Sequence, residues 1–188
     1  MSDVNKVTLG NGQLFIDGIP VGFLKGNVEF TYGREMVDFK PANEMGVVKK
    51  FVISEHASLK ASLAELKVAN LRLAMGINEA VGASQSFPAD EGSPSGASYI
   101  PDASASFDVM TFGGKKTVNE LPIRFEHERP DGKEVVIVLY KCVANPEITI
   151  PFDEENVILH DLTFDALVDS DRTAGDQIGF IADQVQGS

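Results

Sequence analysis

The sequence predicts a mainly β protein with one α-helix, built as two packed, mostly antiparallel sheets in a sandwich or flattened barrel. Three observations favour this class. Several segments alternate apolar and polar residues or form short apolar runs, which is typical of strands. The chain has 17 Gly and 9 Pro but no Trp, which suits a fold with many turns. One stretch alone, Ser54 to Gly76, has the apolar spacing of a substantial helix.

Length and composition bound the organisation of the chain. At 188 residues, 43% of them hydrophobic, we expect a single domain over residues 1–188 with a sizeable core. The net charge of −12 disfavours binding to a nucleic-acid backbone through a basic patch. The lone Cys142 excludes an internal disulfide and a cysteine-based zinc cluster. Because the sequence has neither a signal-like N-terminus nor an apolar stretch of about 18 residues, we expect a soluble protein without membrane contact.

The first elements predicted are a hairpin or meander and then an extended arm. Gln13 to Tyr32 has the pattern of strand, turn and strand, with Asp17-Gly18 at the turn. Residues 33–50 form an arm that is longer than a hairpin requires, with a polar tip and a return strand from Val47 to Ile53. We expect the arm to reach another copy of the chain; a floppy surface hairpin is the alternative. Its contact residues would be Arg34, Glu35, Met36, Val37, Asp38, Phe39, Lys40 and Met45.

The predicted helix follows, with Ser58 as its N-cap and Gly76 as its C-cap. One apolar face would be formed by Leu59, Leu63, Leu66 and Leu73. A second set points nearly the opposite way at about 100° per residue: Ala64, Val68, Leu71 and Met75. A helix that is apolar on two faces needs cover on both. The second face therefore packs either under an insertion loop of the same chain or against a neighbouring subunit.

A loop and a strand-rich half complete the chain. Residues 77–106 are dominated by Ser, Gly and Ala, which predicts an exposed loop because this composition buries little apolar area. Thr117 to Glu126 predicts a strand, and the turn at Arg129–Lys133 leads into a strand buried on both faces, Glu134 to Val143. A further strand is predicted over Val157 to Asp169, and the last strand is predicted over Gln177 to Ala182.

No set of residues in the sequence predicts catalysis or metal binding. The three histidines are far apart, and no nucleophile elbow or phosphate-binding loop is present. The segment Asp169–Asp176 begins like a calcium loop but lacks the glycine at position six and the glutamate at position twelve. We therefore expect a protein that is not an enzyme and that needs neither a metal nor a cofactor.

The order of these elements resembles the major tail tube proteins of long-tailed, siphovirus-type bacteriophages. The most specific parts are Tyr140-Lys141-Cys142-Val143 and the ending from Leu162 to Asp169, and the resemblance covers about residues 13–182. It implies a structural virion protein that polymerises as stacked rings, commonly hexamers, into a hollow tail tube for DNA ejection. The implied partners are other copies, the tape measure, the tail tip and the tail terminator. The implied location is the virion tail, with assembly in the host cytoplasm.

The resemblance also implies roles for the predicted elements. The arm would lie between rings, the helix would join subunits within a ring, and an acidic lumen would repel DNA so that it passes without specific binding. The lumen candidates sit on or beside strands with an apolar opposite face: Glu126, Glu128, Asp161 and Asp165. Solvated exterior positions are the alternative for each. Two other classes stay open: a β-sandwich enzyme or metal-binding domain, and a ligand-binding or virion decoration or adhesion protein.

Overall fold

The computed structural model describes residues 12–22, 24, 27–63, 72, 75, 118–144 and 160–185. Within these ranges the chain forms eight strands: β1 Gln13–Ile16, β2 Ile19–Pro20, β3 Glu29–Phe39, β4 Lys49–Leu63, β5 Leu121–Glu128, β6 Glu134–Ala144, β7 His160–Leu167 and β8 Gly179–Asp183. They form one sheet with the order β2-β1-β5-β6-β7-β4-β3, and β8 pairs with β6 beside that path. Every pairing is antiparallel. The prediction of a mainly β, mostly antiparallel fold is confirmed.

The core lies along one face of this sheet because the strands alternate buried and exposed residues. In β5 every second side chain is buried, from Leu121 through Ile123 and Phe125 to His127. The same alternation buries Leu162 and Phe164 of β7. One hydrophobic cluster joins these side chains: Leu14, Ile16, Val21, Ala57, Leu59, Ala61, Leu63, Leu121, Ile123, Phe125, Leu139, Cys142, Leu162 and Phe164. Side chains between the buried positions lie on the opposite side of the sheet, which we call the outer face.

The turn from β5 to β6 has the predicted chemistry. The Gly132 amide donates to the carbonyl of Arg129, with a nitrogen to oxygen distance of 2.9 Å. Gly132 has a φ of 74°, a conformation that favours glycine. The Arg129 amide donates to the carbonyl of Lys133 at 2.8 Å and closes the hairpin. This turn places β5 and β6 side by side in the middle of the sheet.

The helix prediction is wrong over Ser54–Leu63, because these residues belong to β4. The segment 57–63 buries every second residue, which is the period of a strand. Leu59 and Leu63 misled the prediction because a spacing of four residues places two side chains on one face of either a helix or a strand. Pairing with β3 on one side and with β7 on the other fixes the extended form.

The rest of that prediction lies mostly outside the described residues. Ala64, Val68 and Leu71, and the loop at 77–106, are not among the residues described. Met75 is described and lies in a turn, half-buried. The role of these four side chains in a subunit interface stays a prediction. Among the described parts of the chain, no helix is long and apolar enough to cross a membrane.

Candidate assembly surface

The first part of the candidate surface is the hairpin made by the outer halves of β3 and β4, residues 33–56, which we call the arm hairpin. The two strands pair from Glu29 opposite Lys60 out to Phe39 opposite Lys49. Beyond the strands, the Glu44 amide donates to the Pro41 carbonyl at 3.1 Å and forms the tip. β7 pairs with β4 only from Ser58 onward. Among the described strands, the outer half of β4 therefore has β3 as its only partner.

Exposed apolar side chains are concentrated on the arm hairpin. It carries nine of the sixteen large hydrophobic residues that are exposed in the described parts of the chain: Met36, Val37, Phe39, Met45, Val47, Val48, Phe51, Val52 and Ile53. Met45 at the tip is fully exposed, at 108% of its reference area. Scattered exposed apolar residues are normal, but their concentration in one hairpin is typical of interaction surfaces.

A β-bulge distributes these apolar side chains over both faces of the arm hairpin. The register shifts between Glu35 and Met36, so that Ile53 is an extra residue in β4. Met36 and Val52 then lie on the side that continues the core face. On the outer face, the rings of Phe39 and Phe51 meet edge-on at 6.4 Å between centroids. The arm hairpin is thus apolar on two sides, so one partner surface cannot cover it.

Polar contacts fix the pairing of the arm hairpin. Arg34 Nε lies 2.8 Å from Glu55 Oε1, and the Tyr32 hydroxyl donates to the same carboxylate at 2.9 Å. Nearer the tip, Lys50 Nζ lies 3.3 Å from Asp38 Oδ1. Exposed pairs of this kind contribute only about 0–1 kcal/mol each, so they set the register more than the stability. Arg34 and Asp38, both predicted contact residues, are therefore engaged within the hairpin.

The four predicted lumen acids all lie on the outer face of the sheet. Glu126 and Glu128 alternate with buried residues of β5, and Asp161 and Asp165 alternate with buried residues of β7. Since the buried residues of both strands belong to one core cluster, these acids share the opposite side. Arg124 lies 3.1 Å from Glu126, and Lys60 lies 3.6 Å from Asp161.

Like charges also meet on this face. Glu128 stands directly opposite Glu134 across the β5–β6 pair, an arrangement that destabilises a sheet. A groove of about 520 Å³ runs past Glu126, Glu128 and Glu134. Of the acids named on this face, Glu126 and Asp161 each have a basic partner, and the role of the face in a lumen stays a prediction.

The second part of the candidate surface is a cleft between β4 and the segment that joins β7 to β8. The cleft has a volume of about 590 Å³. Val52, Ile53 and Glu55 line one wall, and Val168 and Ile178 line the other. Val168 is 58% exposed and Ile53 is 64% exposed, so apolar surface in this cleft is open to solvent. The wall formed by β4 is the half of that strand that β7 does not cover.

The joining segment, residues 168–178, is held to β6 by a compact polar network. The Tyr140 hydroxyl donates to Asp176 Oδ1 at 2.6 Å, and Arg172 Nη2 lies 2.7 Å from Asp176 Oδ2. The Arg172 guanidinium also stacks on the Tyr140 ring, 3.6 Å from its centroid. Lys141 Nζ lies 2.9 Å from Asp169 Oδ1 at the start of the segment. This network gives the cleft a fixed outer wall.

The network also changes the acidities of its members. The hydrogen bond from Tyr140, followed by the contact with Arg172, lowers the pKa of Asp176 below its usual 3.8. The hydrogen bond with Asp176 is likewise the main cause that raises the pKa of Tyr140. Both shifts favour the pairing of a neutral phenol with an ionised carboxylate.

Little in the described residues points to catalytic or metal chemistry. Burial raises the pKa of the Cys142 thiol to about 12, which makes it a poor nucleophile. No group of three or more His, Cys, Asp or Glu side chains that could hold a metal ion occurs within the ranges described. The candidate surface itself is formed by apolar side chains, a strand edge and charged groups.

Part of this surface was absent from the sequence prediction. The sequence predicts a return strand that contains Phe51, Val52 and Ile53, but no pattern indicates that the arm is apolar on both faces, because a bulge has no clear sequence signature. Val168 belonged to a predicted strand whose alternation gave no sign of a cleft. The one available signal for the network was the spacing of Arg172 and Asp176, which form an ion pair four residues apart.

The comparisons with known proteins add no assignment. A scan against protein-family models and a search of curated proteins both find no match to this chain.

Proposed function

We propose that this chain is a structural virion protein that polymerises as stacked rings into a hollow phage tail tube, the conduit for DNA ejection. The observation that carries the proposal is the arm hairpin, whose apolar side chains are exposed on both faces. Fully burying a Val, Phe or Met side chain contributes about 1.5–3 kcal/mol, so covering several of them would strongly favour association. Assembly would remove this apolar surface from water and so lower the free energy of the chain.

Copies of the same chain are the partners that this geometry favours. The arm hairpin and the cleft are different surfaces of one molecule, so a contact between them would be head-to-tail. Such contacts close into a ring when the rotation allows it and continue as a filament when it does not. In a tube of stacked six-membered rings, the contacts within a ring would close and the contacts between rings would continue along the axis. Tape measure, tail tip and tail terminator proteins would meet this polymer along its axis and at its ends.

The acidic outer face supports a conduit for DNA. Lining a channel with Glu126, Glu128, Asp161 and Asp165 from every copy would repel the phosphate backbone, so that DNA slides without specific binding. The net charge of −12 has the same sign. We propose that this face points into the lumen, with the virion tail as the final location of the chain.

We also propose that the sheet curls into two packed layers, a sandwich or flattened barrel. Core residues of β1 and β4 belong to one hydrophobic cluster, although β5, β6 and β7 stand between these strands in the sheet. A strongly twisted sheet that curls over its core would bring them together. This arrangement would leave the arm hairpin projecting from one end.

Electron microscopy with an arm variant tests the proposal. The unmodified protein at high concentration should form hollow rods or stacked rings in negative stain, with a matching rise in light scattering. The double variant Met36→Asp with Val37→Asp places a charge on each face of the arm hairpin and should form none. Val118→Asp with Val185→Asp, which changes two exposed valines elsewhere, should assemble normally.

Other outcomes would reject the proposal. If the unmodified chain stays monomeric at every concentration and also when a tail-tip complex is added as initiator, it is not a tube subunit. A stable monomer that instead binds a ligand would favour the ligand-binding or adhesion class. Normal assembly of the Met36→Asp, Val37→Asp variant would remove the arm hairpin from the contact.

A further inference from the structure

The cleft beside β4 offers two kinds of contact at once. Its walls present apolar side chains, among them Ile53 and Val168. It also runs along the half of β4 whose second edge has no strand partner among the described residues. Unpaired backbone groups at a strand edge form hydrogen bonds with any extended segment laid beside them. The occupant that fits both features is an extended, apolar piece of chain.

We infer that residues 45–48, at the tip of the arm hairpin of one copy, bind in this cleft of a second copy. They would do so by adding a strand to β4, and this inference rests on the proposed polymerisation. The tip segment is Met45-Gly46-Val47-Val48, which is uncharged and exposed throughout. Strand addition gains affinity from main-chain hydrogen bonds and specificity from alternate side chains. Met45 is suited to the contact because its flexible side chain fills irregular apolar surfaces.

The occupant must come from another copy because the arm hairpin cannot fold back onto its own cleft. Its strands stay paired as far as Phe39 opposite Lys49. Val48, the nearest residue of the tip, is four residues from Val52, the lining residue nearest to it in sequence, so the paired strands hold the tip about 13 Å from the cleft of its own chain. A second copy has no such restriction.

Size and charge also agree with this occupant. At about 590 Å³ the cleft can accept a few residues of extended chain. Its one lining carboxylate, Glu55, is already engaged by Arg34 and Tyr32, so an uncharged segment meets no free charge there. Around the tip, residues 38–50 hold three lysines and two acids, whereas residues 168–178 hold three aspartates and one arginine. The two surfaces therefore carry opposite net charge, which favours their encounter.

Cysteine cross-linking between two single variants tests the contact. One chain carries Met45→Cys with an affinity tag, and the other carries Val168→Cys. Both positions are exposed, and the native Cys142 is buried, so a mixed disulfide requires the tip of one copy in the cleft of another. After assembly and mild oxidation we expect a mixed dimer. Met45→Cys with Val185→Cys, an exposed position outside the cleft, should give none.

The outcomes separate this contact from the proposed function. Assemblies that form without a mixed dimer, or with equal dimer from the Val185→Cys control, would leave polymerisation standing and overturn the contact. If no assembly forms in any mixture, the proposed function fails and the contact fails with it. As an independent check, Val168→Asp should abolish assembly without changing the far-ultraviolet circular dichroism, and normal assembly of this variant would overturn the contact.

Discussion

At the scale of single residues, Asp176 links the segment between β7 and β8 to Tyr140 of β6. It accepts a hydrogen bond from Tyr140 and pairs with Arg172, and both contacts hold the segment between β7 and β8. Arg172 also stacks on the Tyr140 ring, so Asp176 and Arg172 together connect the middle of this segment to β6. Asp176 therefore contributes to the cleft by holding its outer wall in position.

The lowered pKa of Asp176 makes part of the stability dependent on pH. A carboxyl group whose pKa is lower in the folded state contributes stability above its unfolded value of about 3.8, and that contribution is lost as the pH falls through the folded value. We expect the urea midpoint of the unmodified protein to decrease on acidification between about pH 6 and about pH 2. In Asp176→Asn the decrease should be smaller.

Tyr140→Phe provides the matched control for this titration. It removes the strongest contact that lowers the pKa of Asp176 while leaving the carboxyl group in place. The folded pKa of Asp176 then lies closer to its unfolded value, so the acid-induced decrease should be smaller than in the unmodified chain but larger than in Asp176→Asn. Equal pH dependence in Asp176→Asn and in the unmodified chain would show that Asp176 makes no contribution. Asp169, beside Lys141, and Asp131 also have lowered pKa values, so some acid sensitivity should remain in both variants.

At the scale of elements, β4 shows that the spacing of apolar residues alone does not distinguish a strand from a helix. Ala57 and Ala61 are buried in the core, but alanine has a high helix propensity, and the spacing of Leu59 and Leu63 fits both periods. Pairing with β3 and β7, which are far away in sequence, settles the conformation. The hairpin turn at Arg129–Lys133 could be predicted because its chemistry is local.

Two asparagine substitutions distinguish strand from helix in β4. In the strand Ala61 is fully buried and Ser62 is only half-buried, so Ala61→Asn should reduce the free energy of unfolding by about 2 kcal/mol or more. Ser62→Asn should cost about 1 kcal/mol or less, since it changes one exposed hydrogen bond to Asp161. In a helix, Ser62 would lie about 60° from Leu59 and share its buried face, whereas Ala61 would lie about 160° away and be exposed. Ser62→Asn would then be the more destabilising of the two substitutions. Urea denaturation of both variants measures this ranking.

For the whole molecule, the distribution of charge matters more than its total. The net charge of −12 was available from composition, but the location of four acids on one face required the strand register. Alternation within β5 and β7 places those acids opposite the buried residues of the same strands. The sequence predicts an extended arm over residues 33–50, but the exposure of its apolar side chains on both faces depends on a bulge, and the cleft depends on which half of β4 is paired, so neither could be predicted.

Reversing one charge on the outer face tests the lumen at this scale. Asp165→Lys should still assemble, but the tubes should bind DNA more strongly at low salt, because every copy in the ring repeats the change. Asp171→Lys makes the same change in net charge on the exposed segment after β7 and should not increase DNA binding. Gel-shift titration of purified tubes at two salt concentrations measures both variants. Equal DNA binding by the two variants would place Asp165 outside the lumen.

The bulge at Ile53 has a consequence for how the arm can change in length. Because side chains alternate along each strand, one inserted residue beyond the bulge would exchange its two apolar faces. Two residues added to each strand would preserve both faces and move the tip outward by about 7 Å. If the tip of one copy reaches the next ring, the axial repeat of the polymer can be lengthened only in such steps. The length of the arm hairpin would then set the axial repeat in steps of two residues per strand.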